Sequence, residues 1–212
     1  MITLNYPFPE EEWGRNFDLT ARICRQGGIL IYPTETFYAI GGHALNAALG
    51  HRLSLIKHRP AGKTFPTLCG SLAATRSLIG LWPEPARRLA RKYWPGPLTM
   101  ILPGRPGLPD SIRDQNGGIA VRWSSHPLLN ELAKFFSGPL ISTSANLSNH
   151  PPTATTAKLD PELLAQADLL LIADNPEPPP QPSTIIDARV DPPLLVRRGS
   201  LEISETGSST IV

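Results

Sequence analysis

The chain has 212 residues, 41% of them hydrophobic and 18% charged, with a formal net charge of +2. That length supports one sizeable core or at most two small domains, and the composition is that of an ordinary globular protein, which sets aside fibrous, disordered and membrane-spanning classes. A net charge so close to zero does not by itself argue for a nucleic-acid partner.

The first eighteen residues are mixed and acidic, with Glu10, Glu11 and Glu12. They lack the basic start and apolar centre of an export signal, so the cytoplasm is the expected compartment. Asp18 reads as the cap of a helix running to about Gln26, with Leu19 and Ile23 inward and Gly27 as its stop. The apolar run Ile29 to Tyr32 is a strand that opens into Pro33-Thr34-Glu35-Thr36, bracketed by Gly27-Gly28 and Gly41-Gly42. Pro33 holds Tyr32 extended, which places the hydroxyls of Thr34 and Thr36 on a stiff, irregular segment suited to ligand contact. Leu45, Leu49, Leu53 and Ile56 recur at helical spacing, so a helix from about Asn46 to Ile56 delivers Lys57-His58-Arg59-Pro60 at its C-terminal end.

A short strand, Phe65 to Cys69, follows the loop around Lys63, and Ser71 starts a further helix. Another helix spans about Glu84 to Tyr93 and ends at Trp94-Pro95-Gly96-Pro97, from which Leu98 to Leu102 leaves as a strand. Ile119 to Trp123 is a strand, Pro127 opens a helix, and Leu140 to Thr143 is a strand that breaks into Ser144-Ala145-Asn146. Asp160 and Pro161 begin a short helix, Asp168 to Ala173 is a strand, and Asn175 to Pro182 is a proline-rich loop. The last strands are Ser183 to Asp187 and Leu194 to Arg197. Strands and helices mixed throughout predict one α/β domain over residues 1–205, built on a mixed sheet flanked by helices, with residues 206–212 as a disordered tail.

Charge is unevenly placed. No Asp or Glu lies between Glu35 and Glu84, while Arg52, Lys57, Arg59, Lys63 and Arg76 all do. An interval like this, folded around one cleft, would attract a polyanion. Arg87, Arg88, Arg91 and Lys92 read instead as a solvated helix face. Cys24 and Cys69 are far apart, with neither the spacing of a zinc site nor a disulfide framework, and read as small core residues.

Several familiar devices are absent from the sequence: a glycine-rich phosphate loop ending in Lys-Ser or Lys-Thr, a GxGxxG after a strand, a GxSxG elbow and an HExxH helix. None of the five histidines pairs with an obvious nucleophile. What remains is chemistry by positioning and charge. Lys57, Arg59 and Lys63 form a compact cationic corner that suits phosphates, Arg as a bidentate fork and Lys as a point charge. Ser142, Ser144 and Asn146 place hydroxyls and an amide where a strand opens into a turn, a common ligand rim in α/β sheets.

Seven segments in order resemble the YrdC family of threonylcarbamoyl-AMP synthases: Tyr32-Pro33-Thr34-Glu35-Thr36, Lys57-x-Arg59-Pro60, Pro95-Gly96-Pro97-Leu98-Thr99, Val121-Arg122, Ser144-Ala145-Asn146-Leu147-Ser148, Pro182-Ser183-Thr184, and Arg197 with Gly199. The resemblance covers about Gly27 to Gly199. It implies a twisted open sheet with a deep basic concavity, and an enzyme joining L-threonine, bicarbonate and ATP into threonylcarbamoyl-AMP with release of pyrophosphate, for modification of tRNA. It also implies roles. Thr34 and Thr36 would hold the threonine and carbamate end, Lys57, Arg59 and Arg197 the phosphates, and Ser144 and Asn146 the nucleotide, with Ser142 and Ser183 completing the pocket. Lys57, Arg59 and Thr36 would be the catalytic set. Mg²⁺ would travel on the phosphates rather than on protein ligands.

The same resemblance implies protein partners from the tRNA threonylcarbamoyl-transfer machinery, and leaves tRNA or double-stranded RNA as a direct partner open. An alternative within the fold is a non-catalytic RNA-binding relative; a third is the carbamoyl-transfer module of hydrogenase maturation proteins, which sits in longer chains with zinc-finger cysteines. Departures from the family pattern are Ala39 in place of a glycine, Phe37 in place of a usual valine, and Arg198 where proline is common. Were position 39 to need a positive φ, alanine there would strain the loop.

Overall fold

Apolar runs bounded by glycine and proline set where most strands begin and end. The computed structural model describes residues 1–60, 62–148, 150–173 and 181–204. In chain order its elements are β1 (Ile2–Asn5), α1 (Trp13–Arg25), β2 (Leu30–Tyr32), β3 (Ala39–Gly41), α2 (Ala47–Ile56), β4 (Thr67–Cys69), α3 (Leu72–Leu78), α4 (Glu84–Tyr93) and β5 (Leu98–Pro103). They continue with β6 (Gly118–Trp123), α5 (Pro127–Phe135), β7 (Leu140–Ile141), β8 (Thr143–Ser144), α6 (Pro161–Gln166), β9 (Leu169–Ile172), β10 (Thr184–Asp187) and β11 (Leu194–Arg197).

The mixed α/β architecture matches the expectation, with the strands divided over two sheets. One has the order β1-β9-β2-β3-β8 and the other β11-β10-β5-β6-β4-β7. The join explains the division. The segment that reads as one strand from Leu140 to Thr143 steps from sheet to sheet at Ser142, because β7 pairs antiparallel with β4 while β8 pairs antiparallel with β3. Ser142 itself donates its backbone N–H to Pro66 at 2.9 Å.

Strands β2 and β9 pair in parallel and are buried on both faces, which is why they read as unbroken apolar runs. Ile31, Ile40 and Leu170 face a core shared with Met100, Ile119 and Val121 of the second sheet. Leu30, Tyr32, Leu169 and Leu171 face the opposite way, against Phe17 of α1 and Leu128 and Leu132 of α5. Each fully buried aliphatic side chain here contributes about 1.5–3 kcal/mol.

Most predicted helix starts hold. Asn46 Oδ1 accepts from the Leu49 N–H at 3.0 Å, Ser71 Oγ from Ala74 at 3.2 Å, and Asp160 Oδ1 from Glu162 at 2.8 Å. The first helix departs from the reading. It begins at Trp13, so Asp18 is an exposed interior residue and not the cap. Trp13, Phe17, Thr20, Ala21 and Cys24 form its inward stripe, with Leu19 and Ile23 only half-buried. A 3₁₀ turn at Glu10–Glu12 leads into it, and three carboxylates there complement the positive end of the helix dipole.

Strand β1 was not expected at all, because Ile2-Thr3-Leu4-Asn5 is short and largely exposed. It adds to the sheet edge in parallel with β9. The alanine at position 39 causes no strain, since it lies in β3 and His58 (φ 47°) is the one positive-φ residue other than glycine among the described residues. Both cysteines are buried free thiols. Among the described residues no helix is long and apolar enough to cross a membrane. The residue 206–212 tail and most of the proline-rich loop lie outside the described residues.

Candidate active site

Side chains alternate across a strand, so every second residue of the central strands of the second sheet faces the same side. Thr99 and Ile101 of β5, Ala120 and Arg122 of β6, and Ile185 of β10 together floor a cavity of about 410 Å³. The loop after β2 closes one side of it with Thr34, Thr36 and Phe37; Ser142 and Ser144 close another, at the step between the sheets. Arg59 and Thr64 enter from the loop after α2, while Ser183 and Arg197 enter from the ends of β10 and β11. Seven residues singled out from sequence, Thr34, Thr36, Arg59, Ser142, Ser144, Ser183 and Arg197, therefore meet on one cavity. Among the described residues no carboxylate lines it.

Hydroxyl hydrogen bonds on the threonine side can be counted out. Thr34 Oγ1 donates to the Phe37 carbonyl at 2.8 Å and accepts from the Thr36 N–H at 3.1 Å. Its one proton being used, the 2.9 Å contact between the two hydroxyls runs from Thr36 to Thr34. Arg122 Nη1 in turn donates to Thr36 Oγ1 at 3.2 Å. Thr34 is thereby saturated and acts as an orienter. Thr36 is left with one lone pair, which suits a donor on the ligand such as an amine.

Arg122 is the residue that sequence reasoning quoted without giving a role. It is 6% exposed, and its Nε lies 3.9 Å from Glu35 Oε1. Glu35 also accepts from Ser124 Oγ at 2.6 Å and from the Ser125 N–H at 3.4 Å. Burial works against ionisation of Glu35, but the guanidinium of Arg122 and these hydrogen bonds outweigh it and hold the carboxyl below its ordinary range. The signal for Arg122 was visible as a charge in an otherwise apolar strand, Ile119-Ala120-Val121-Arg122-Trp123. Thr99 is a second such case, bonded at 2.9 Å to Ser183 Oγ.

Arg197 stays exposed at the rim while gripping Ser183, with Nη2 donating to its carbonyl at 2.8 Å and to its Oγ at 3.0 Å. Gly199 makes this rim fit. A Cβ there would sit 2.2 Å from the Pro182 carbonyl oxygen and collide with the backbone of Ser183 and Thr184. Arg59 is held over the Phe65 ring at 4.5 Å and donates to the carbonyls of Lys63 at 3.0 Å and Thr64 at 2.5 Å. These contacts use its stem and part of its fork while the guanidinium still borders the cavity.

Two predicted residues do not line the cavity. Lys57 is 3% exposed, and its Nζ donates to the backbone carbonyls of Ser144 and Asn146, at 2.5 Å each. Burial, followed by the charge of Arg59, pushes its pKa down to about 8. Asn146 turns its amide onto the carbonyls of Leu147 at 2.9 Å and His150 at 2.6 Å. Ser148 Oγ closes the knot on the Lys57 carbonyl at 2.5 Å. Lys57 and Asn146 thus fix the turn that presents Ser142 and Ser144, one layer behind the wall, and Lys57 is not the exposed cation the sequence suggested. Lys63, on its loop, is likewise outside the lining.

The chain's sequence and fold are both similar to those of known proteins. The family model for Sua5, YciO and YrdC, described as "Telomere recombination", matches residues 22–199. A protein of Xanthomonas euvesicatoria named threonylcarbamoyl-AMP synthase is 37% identical over 176 residues, which is 82% of this chain and 94% of the relative. The crystal structure of P. abyssi Sua5 complexed with L-threonine superposes with a TM-score of 0.84 at 28% identity, over 94% of this chain and 57% of that longer one. E. coli YciO superposes with a TM-score of 0.77 at 26% identity, over 96% of this chain and 97% of that one. With most of its length matched by the family model and its fold shared, the chain belongs to the Sua5, YciO and YrdC family.

Proposed function

We propose that this chain is an L-threonylcarbamoyladenylate synthase and that the cavity floored by Arg122 is where the reaction occurs. The observation that carries the reading is the lining itself: Arg59, Arg122 and Arg197 with the hydroxyls of Thr36, Thr99, Ser142 and Ser144, and, among the described residues, no carboxylate. Three cations among hydroxyls form a set that accepts a polyanion. A relative 37% identical over 176 residues carries the synthase name, and P. abyssi Sua5 has been crystallised with L-threonine.

In this reading the threonine amine adds to bicarbonate, with loss of water, to give a carbamate. A carbamate oxygen then attacks the α-phosphorus of ATP, the bond from that phosphorus to the bridging oxygen breaks, and pyrophosphate leaves with the electron pair. The carbamate is a weak nucleophile, so holding it in line is the larger part of catalysis. Thr36, oriented by Thr34 and Arg122, receives the amine through its open lone pair. Arg59 and Arg197 take the phosphates, where charge builds on the leaving group. Ser144 meets the nucleotide, and Ser142 and Ser183 complete the pocket.

Lys57 and Asn146 act in this scheme as positioning residues, through the turn they hold. The donor set of the lining fits phosphate oxygens better than a bare metal, so Mg²⁺ would enter as part of the ATP substrate and would supply positive charge to its phosphates. A cytoplasmic setting and supply of the product to tRNA modification complete the proposal. Pyrophosphate release from ATP and bicarbonate tests it: release that requires L-threonine supports the reading, and release indifferent to threonine overturns it.

A further inference from the structure

The other face of the second sheet carries a second cavity. Arg122 and Trp123 are consecutive on β6 and point to opposite faces; Arg122 floors the first cavity, and Trp123 lines one of about 640 Å³ behind it. Among the described residues the two share no lining residue. Trp82, from the connection between α3 and α4, and Trp94, just past α4, join Trp123 in its wall. The first two rings are held in place. Trp94 Nε1 donates to the Leu98 carbonyl at 2.6 Å, and Trp82 meets Trp94 edge-on at 6.1 Å and 86°.

Four arginines surround these indoles: Arg76 on α3, Arg87 and Arg91 one turn apart on α4, and Arg105 after β5. Among the described residues no carboxylate lines the cavity. Of the four, Arg87 has an exposed ion pair, 3.8 Å from Glu84, and among the described residues the other three have none. Concentrating four like charges around a concave surface costs free energy unless an anion is drawn in. None of the seven is needed for the first cavity, and the volume is in the range of small-ligand sites.

We infer that this second cavity binds a nucleoside phosphate, either free or as part of a single-stranded RNA, with the base against the indoles and the phosphate on the arginines. Arginine forks match phosphate oxygens, and recessed, fixed indole faces stack bases of any sequence. An acidic peptide would satisfy the charges and leave the half-buried indoles of Trp82 and Trp123 unused. A lipid surface calls for apolar groups that protrude, and these are recessed.

The test is fluorescence anisotropy of a labelled eight-nucleotide RNA titrated with the full chain, with AMP and polyglutamate as competitors. The expected result is saturable binding that Arg91→Glu and Trp82→Leu each weaken by about tenfold or more. Arg197→Ala, in the first cavity, should leave it within about twofold, and each arginine lost should reduce the salt slope by about 0.7. Competition by AMP identifies the free nucleotide as sufficient; binding that AMP does not displace identifies the strand as the ligand. Binding unchanged by both second-cavity variants, no binding at low salt, or displacement by polyglutamate as effective as by RNA overturns the inference. Circular dichroism of Arg91→Glu, a surface change, separates a lost site from a lost fold.

Discussion

The ammonium of Lys57 lies 2.5 Å from the backbone carbonyl of Ser144, so the cation at the end of α2 is spent on a turn and not on solvent. With its second bond to Asn146, it ties two segments some ninety residues apart in sequence into one wall of the cavity. Replacing it by methionine keeps the apolar stem and removes both donors. Lys57→Met should therefore destabilise the fold by about 2–4 kcal/mol, since each buried carbonyl left unpaired costs about 1–3 kcal/mol. Chemical denaturation measures this; an unchanged midpoint would mean that water replaces the ammonium without cost.

Arg122 serves both the fold and the cavity. Its loss leaves the Glu35 carboxylate buried without a countercharge, held by hydrogen bonds from Ser124 and Ser125, and frees the hydroxyl of Thr36 to turn. Arg122→Met should cost about 3–5 kcal/mol and abolish activity, and the Arg122→Met, Glu35→Gln pair should recover part of the stability and none of the activity. Thermal melts of the single and double variants read the difference. Equal melting temperatures would show that the pair is not coupled.

Arg197 gives the opposite pattern. It is exposed at the rim, so Arg197→Ala should cost less than about 1 kcal/mol. Its cation faces the cavity, so product formation should fall by about a hundredfold or more. Steady-state rates beside a melting curve decide the matter, and a variant with full activity would remove Arg197 from the phosphate site.

The buried thiols set an alkaline limit on stability. Burial pushes both Cys24 and Cys69 up to about 12, from an ordinary value near 9. The folded state thus keeps its thiol protons while the unfolded chain releases them, and stability present below about pH 9 should be lost as pH rises from there toward 12. Denaturation midpoints of the wild type should fall across that window, and those of Cys24→Ala, Cys69→Ala should fall less steeply. Parallel slopes would contradict the assignment.

Much of this was legible in the sequence because caps, breakers and apolar runs are local. Asn46, Ser71 and Asp160 announced their helices through their side chains, and Glu84–Tyr93 came out with both ends in place. The inward stripe of α1 was misjudged since Asp18 looks like a cap, and only tertiary packing of Trp13 and Phe17 shows that the helix starts earlier. The break at Ser142 depends on which sheet each half of the segment finds, which no local pattern records. In the site, hydroxyl-bearing turns were visible as departures from apolar runs. The cations were harder: Lys57, Arg59 and Lys63 are close in sequence, yet Arg59 alone of the three reaches the cavity, joined by Arg122 and Arg197 from distant strands. Charge in a carboxylate-free interval says that a basic surface exists, and the strand register decides where it faces.

Formation of the adenylate is the most direct test of the cavity's role. Purified wild-type chain incubated with ATP, Mg²⁺, carbon-labelled bicarbonate and L-threonine should yield, on separation of the products, one labelled species containing both threonine and AMP, and the species should disappear when threonine is omitted or Arg197 is replaced by alanine. Well-folded protein that leaves all of the label in bicarbonate would contradict it.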